Sequence, residues 1–131
     1  MPSVDGACLC GAVSYSINGA LRPVVACHCS QCRKTSGHFV AATEVGDETL
    51  EIRDPEGALR WYRSSPSARR GFCSGCGSSL FWKRDDKDRT SIMAGTLTGD
   101  TGLTVEAHIY TADKGDYYTL DTDIPHFAAD R

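Results

Sequence analysis

At 131 residues, 24% of them charged and with a formal net charge of −3, the chain has the size of one domain with a core of its own, expected to span 1–131. It lacks the basic excess with which nucleic-acid modules neutralise phosphates. No stretch approaches the roughly 20 consecutive apolar residues of a membrane helix. Met1-Pro2-Ser3-Val4-Asp5 shows no basic segment leading into an apolar run, so a soluble, cytoplasmic protein without membrane or nucleic-acid partners is expected.

Taken in order, Val13, Tyr15 and Ile17 alternate with small or polar residues and predict a half-buried strand. Asn18-Gly19 marks a turn, and the apolar run Pro23-Val24-Val25-Ala26 leads into a cysteine-rich knot. Ser30 is placed to cap a helical turn through Cys32 to Thr35 that ends at Gly37. Further strands are expected over residues 39–45, then with Leu50 and Ile52 inward, then around Leu59 and Trp61, over residues 80–82 and over residues 92–94. The last runs from Leu103 to Tyr110, with Leu103, Val105, Ala107 and Ile109 on one face and Thr104, Glu106, His108 and Tyr110 on the other. No helical periodicity is sustained, so the class is all-β with at most a turn of helix.

The seven cysteines are odd in number, and the pairs Cys8/Cys10 and Cys27/Cys29 are awkwardly close for bridging. Metal ligation is therefore expected over a disulfide framework. Cys27, Cys29 and Cys32 fall within six residues, a spacing that can wrap three thiolates round one tetrahedral zinc. Cys73-x-x-Cys76 has zinc-knuckle spacing, and Cys8/Cys10 is the remaining pair, so a closed four-cysteine site is expected beside the three-cysteine one. A fourth protein ligand at the latter, from another cysteine, His28 or His38, would make it inert. Its absence would leave a place for substrate.

Three motifs in order, Cys8-x-Cys10-Gly11, Cys27-His28-Cys29-Ser30-x-Cys32-Arg33-Lys34-x-Ser36-Gly37 and Phe72-Cys73-x-x-Cys76-Gly77-Ser78-x-Leu80, resemble the glutathione-dependent formaldehyde-activating enzyme family (S-(hydroxymethyl)glutathione synthase-like, centromere protein V-type domain). The likeness spans roughly residues 7 to 83, with a looser tail through His108. It implies a coiled β-sheet, the "β-tent" shared with zinc-containing methionine sulfoxide reductases. It also implies a structural zinc on Cys8, Cys10, Cys73 and Cys76, and a catalytic zinc on Cys27, Cys29 and Cys32.

Zinc with three thiolates is a poor activator of water but a good soft partner for one more sulfur. A carbon–sulfur lyase or synthase is the resulting expectation, with glutathione and an aldehyde such as formaldehyde forming S-hydroxymethylglutathione. The alternative is a non-catalytic zinc-binding domain, or thiol redox chemistry at Cys29 and Cys32. Arg33 and Lys34 are candidates to balance the charge of a fourth thiolate. Arg69 and Arg70, in a basic cluster with Arg60 and Arg63, are candidates for the substrate's carboxylates. Trp61 and Tyr62 are expected in the core, with a cleft wall as the alternative. His108 is a candidate acid or base on the polar face of its strand.

Overall fold

The computed structural model describes residues 3–131; Met1 and Pro2, which open the stretch read for an export signal, lie outside the described residues. The chain divides into two compact units. One holds the chain up to Arg22 together with Thr43–Thr101, and the other holds Pro23–Ala42 and Gly102–Arg131.

In the first unit, β1 (Val4–Ala7), β2 (Ser14–Ile17) and β5 (Leu50–Arg53) form an antiparallel sheet with β2 in the middle. The alternation read from the sequence holds on β2: Val13 just before it, then Tyr15 and Ile17, are all fully buried. Gly6 on β1 permits this packing, since a Cβ there would stand 2.2 Å from the Tyr15 ring carbon that bears the hydroxyl. β5 departs from expectation. Among the described residues it is an outer strand paired with β2 alone, so Leu50 is only half-buried and Ile52 is exposed.

The same unit carries a second antiparallel series, β6 (Leu59–Ser65), β7 (Ala68–Cys73), β8 (Ser79–Arg84) and β9 (Arg89–Met93). Its core contribution centres on Leu80, Phe81 and Ile92, all essentially inaccessible to solvent. Phe81 meets Tyr15 edge-on, with ring centroids 5.5 Å apart. The Tyr15 hydroxyl is satisfied by Thr96 Oγ1 at 2.6 Å, and burial nevertheless pushes the phenol up to about 12. Burying side chains of this size stabilises by about 1.5–3 kcal/mol each.

The β6–β7 hairpin corrects two expectations. β6 extends to Ser65 and β7 begins at Ala68, a strand missing from the expected elements because the charged pair Arg69 and Arg70 masked it. Trp61 and Tyr62 do not enter the core, being 37% and 64% exposed. Among the described residues β6 pairs only with β7, and Trp61 is covered by the Arg69 guanidinium, 4.6 Å from the ring centroid.

In the second unit β3 (Val24–Cys27) runs parallel to β10 (Val105–Ile109) and antiparallel to the first residues of β4 (Val40–Gly46). Val24, Val25 and Ala26 are buried consecutively, as expected of a strand covered on both faces. Helix α1 (Ser30–Ser36) lies between β3 and β4 in sequence. Its cap is Cys29, not Ser30: the Cys29 sulfur accepts the Cys32 amide at 3.3 Å. Its end is as expected, Gly37 taking the left-handed conformation (φ 84°) that glycine adopts without Cβ strain. Among the described residues no helix is long and apolar enough to cross a membrane.

Candidate metal centre

Seven free thiols gather as four and three, in the division read from the sequence. In the first unit Cys8 and Cys10 sit on the link between β1 and β2, Cys73 ends β7, and Cys76 lies in the turn before β8. The four sulfurs lie within 4.8 Å of one another. Cys10 is 3.7 Å from both Cys8 and Cys73. That separation is far from the ~2.05 Å of a disulfide. It matches the edge of a tetrahedron of sulfurs, about 3.8 Å when each stands ~2.3 Å from a central ion.

Hydrogen bonds point at the same sulfurs. The Val13 amide donates to Cys8 Sγ at 3.4 Å, and Ser78 Oγ lies 3.2 Å from Cys76 Sγ while accepting the Leu9 amide at 2.9 Å. Ser78, with the adjoining backbone donors, lowers Cys76 to about 5. Against the Ala12 amide, which favours the Cys10 thiolate, the neighbouring thiols push Cys10 up to about 11. Four sulfurs this close resist joint ionisation, and a bound cation is what would relieve them.

In the second unit Cys27 ends β3, opposite Val40 on β4 and Ile109 on β10; Cys29 caps α1 and Cys32 sits, buried, in its first turn. Their sulfurs also lie within 4.8 Å of one another, and no fourth His, Cys, Asp or Glu ligand atom among the described residues joins them. Hydrogen bonds from Cys27 and Cys32 hold Cys29 well below the ordinary thiol range, while the same neighbours push Cys27 far above it. The soft, cation-demanding donor sets of both clusters could each hold a metal ion.

His28 lies between two of these cysteines and is fully buried. Both of its ring nitrogens are engaged, Nδ1 with the Tyr118 hydroxyl at 2.5 Å and Nε2 with His108 Nδ1 at 2.8 Å. Burial first, then the positive fields of His108, His38 and Lys114, push it down to about 4, so it is neutral at pH 7. Neither nitrogen is left for a metal. His38 is exposed, and its Nδ1 meets the Tyr117 hydroxyl at 3.2 Å.

His108 corrects the alternation expected of β10. A register irregularity between Val105 and Ala107 leaves Val105 exposed and buries Ala107 and His108 together. Its backbone bonds to Pro125 and Phe127, and burial, then the His126 charge, lowers its imidazole. Its ring faces His28 rather than solvent.

Of the candidate cations, Arg33 and Lys34 lie on α1 beside Cys32. Arg33 Nε is shielded from solvent without a hydrogen-bond partner, and its charge is felt at the Tyr118 phenol. Arg69 and Arg70 lie on β7 in the first unit, opposite Arg63 and Tyr62. Arg63 is tied to Asp85 at 2.5 Å and Arg60 to the Gly57 carbonyl. Tyr118 gave no signal in the sequence, because the His28 ring that its hydroxyl meets stands 90 residues away in the chain.

An open-sheet, mostly-β protein bearing one four-thiol and one three-thiol cluster is the class that fold and site define. The family model for glutathione-dependent formaldehyde-activating enzyme matches residues 3–113, and the chain belongs to that family. An uncharacterized lyase of Schizosaccharomyces pombe is 29% identical over 132 residues, covering 99% of this chain and 94% of that one. The crystal structure of a Rhodobacter sphaeroides protein superposes with a TM-score of 0.62 at 24% identity, over 75% of this chain and 91% of that one, a likeness of fold.

Proposed function

We propose that the protein is a zinc-dependent carbon–sulfur lyase or synthase that joins a thiol, glutathione, to formaldehyde and cleaves the adduct in reverse. The observation that carries this reading is the three-sulfur cluster: three thiols converge, no fourth donor of the described residues joins them, and both nitrogens of the nearest histidine are engaged elsewhere. Zinc held by Cys27, Cys29 and Cys32 would supply a soft cationic place at which a thiol is kept as its thiolate near neutral pH. Membership of the family and the lyase description of the yeast relative support the same reading.

In the condensation the sulfur's electron pair forms the new S–C bond, the carbonyl π pair moves onto oxygen, and the proton lost by the thiol ends on that oxygen. No oxidant or reductant is required. The chain's own part is geometric and electrostatic. The β3 end and the first turn of α1 hold the three sulfurs in place, which limits the reorganisation needed on binding. Arg33 and Lys34 offset the charge a fourth thiolate adds. Cys8, Cys10, Cys73 and Cys76, with four donors and no open place, would hold a structural zinc.

Exchange spectroscopy on labelled formaldehyde with glutathione tests this, because it separates catalysis from the spontaneous reaction. The expected result is faster exchange between free aldehyde and S-hydroxymethyl adduct, abolished by a chelator and restored by zinc. No acceleration by the zinc-loaded protein would overturn the proposal. Disulfide exchange that survives chelation would instead favour the redox reading of Cys29 and Cys32.

A further inference from the structure

We infer that residues 114–118, which lie beyond the segment matched by the family model, complete the three-cysteine site, with Tyr118 as a positioning residue acting through His28. The inference rests on the metal-binding reading of Cys27, Cys29 and Cys32.

The main chain at His28 is pinned by its amide to the Ile109 carbonyl at 3.0 Å, and its ring is pinned by Tyr118 and His108. A neutral imidazole has one donor and one acceptor nitrogen. Two arrangements therefore satisfy the chain: Tyr118 donates to Nδ1 while Nε2–H donates to His108, or Nδ1–H donates to Tyr118 while His108 donates to Nε2. Either leaves His28 without a free nitrogen and with a single ring orientation. His28 is the residue between Cys27 and Cys29, so fixing its ring fixes the turn that sets the separation of those two sulfurs.

Tyr118 is itself braced. Lys114 Nζ donates to the Tyr118 carbonyl at 2.5 Å and to the Gly115 carbonyl at 2.8 Å, and it sits 4.6 Å over the Tyr118 ring. Tyr117 Oη meets His38 Nδ1 and donates to the Gly37 carbonyl at 3.4 Å, so the same short segment holds the residues that end α1. The segment thus grips the cysteine-bearing stretch at two points, before and after the helix. Groups that hydrogen-bond a metal's ligands typically change metal affinity by 10–100-fold when removed, and Tyr118, one residue further out, belongs at the low end of that range.

The experiment is chelator-competed loading of the full chain with cobalt(II), read by its sulfur-to-metal absorption, for the native protein, Tyr118→Phe, His28→Phe and the double variant. The four-cysteine site serves as internal control. Tyr118→Phe is expected to weaken the three-cysteine site about tenfold and to alter its absorption bands, with the four-cysteine site unchanged. His28→Phe should do as much or more, and the double variant should be no weaker than His28→Phe alone, because Tyr118 acts through that ring. Unchanged affinity and bands in Tyr118→Phe would overturn the inference while leaving the metal reading intact, and so would losses that add in the double variant. A native protein that loads cobalt only at four sulfurs would overturn the metal reading, and the inference with it. If His28→Phe does not fold, Tyr118→Phe alone decides.

Discussion

Cys32 and Cys76 are both metal-ligand candidates, yet they do different work. Cys32 is one of three sulfurs set by the end of β3 and the first turn of α1, and the neighbouring backbone has its own partners: Arg33 N bonds Cys29 O, and Gly37 N bonds Arg33 O. Cys76 belongs to a clasp joining the link after β1 to the turn after β7, segments over sixty residues apart, and a structural zinc contributes directly to folding free energy. Cys32→Ser is therefore expected to abolish activity while changing stability by at most about 1 kcal/mol. Cys76→Ser should cost several times that, about 3 kcal/mol or more. Thermal melts beside activity assays check this, and similar melting curves for the two variants would contradict it. At this scale the sequence was informative about thiols and silent about their surroundings. Cysteine spacing sufficed to divide the seven. The burial of His28 and its bonds to His108 and Tyr118 depend on chain closure over 80 and 90 residues, which no local pattern encodes.

Among the elements, the three-residue turn Asp47–Thr49 shows how a polar group ties strands together. Asp47 accepts from Thr90 Oγ1 on β9 at 2.6 Å and pairs with Lys83 Nζ on β8 at 2.9 Å. Partial burial raises its carboxyl, but the Thr90 and Lys83 bonds and the Lys83 and Arg89 charges outweigh it and hold the group below its ordinary value. A carboxyl depressed by folding stabilises above its unfolded pKa, near 3.9, and loses that contribution as pH falls through the folded value. The pair is partly open to solvent, so Asp47→Asn should cost about 0.5–1 kcal/mol at pH 7. The difference from the native protein should narrow as pH falls below about 4 and close once pH is below the folded value. Denaturant unfolding across pH checks it, and a gap that does not narrow on acidification would contradict the charge account. Legibility also varied by element. β2 was plain because one face is buried and period-two alternation follows. β7 was hidden because Arg69 and Arg70 interrupt its apolar pattern. On β10 the register irregularity put Ala107 and His108 inside together, where strict alternation would have placed them on opposite faces.

For the whole molecule, the all-β class and the family followed from the absence of helical period and from three cysteine motifs in order. What the sequence left open was whether a protein ligand closes the three-cysteine site. The structure bears on this through occupancy of bonds: both nitrogens of His28 are engaged, and none of the described acidic, histidine or cysteine ligand atoms joins the trio. Under the proposed function one zinc would bind four protein sulfurs and another three. X-ray absorption on the zinc-loaded protein, before and after glutathione, tests this directly. The predicted result is two zinc ions per chain, with the mean sulfur count per zinc rising from about 3.5 to about 4 when glutathione binds. A single zinc per chain, or a count unmoved by glutathione, would contradict it.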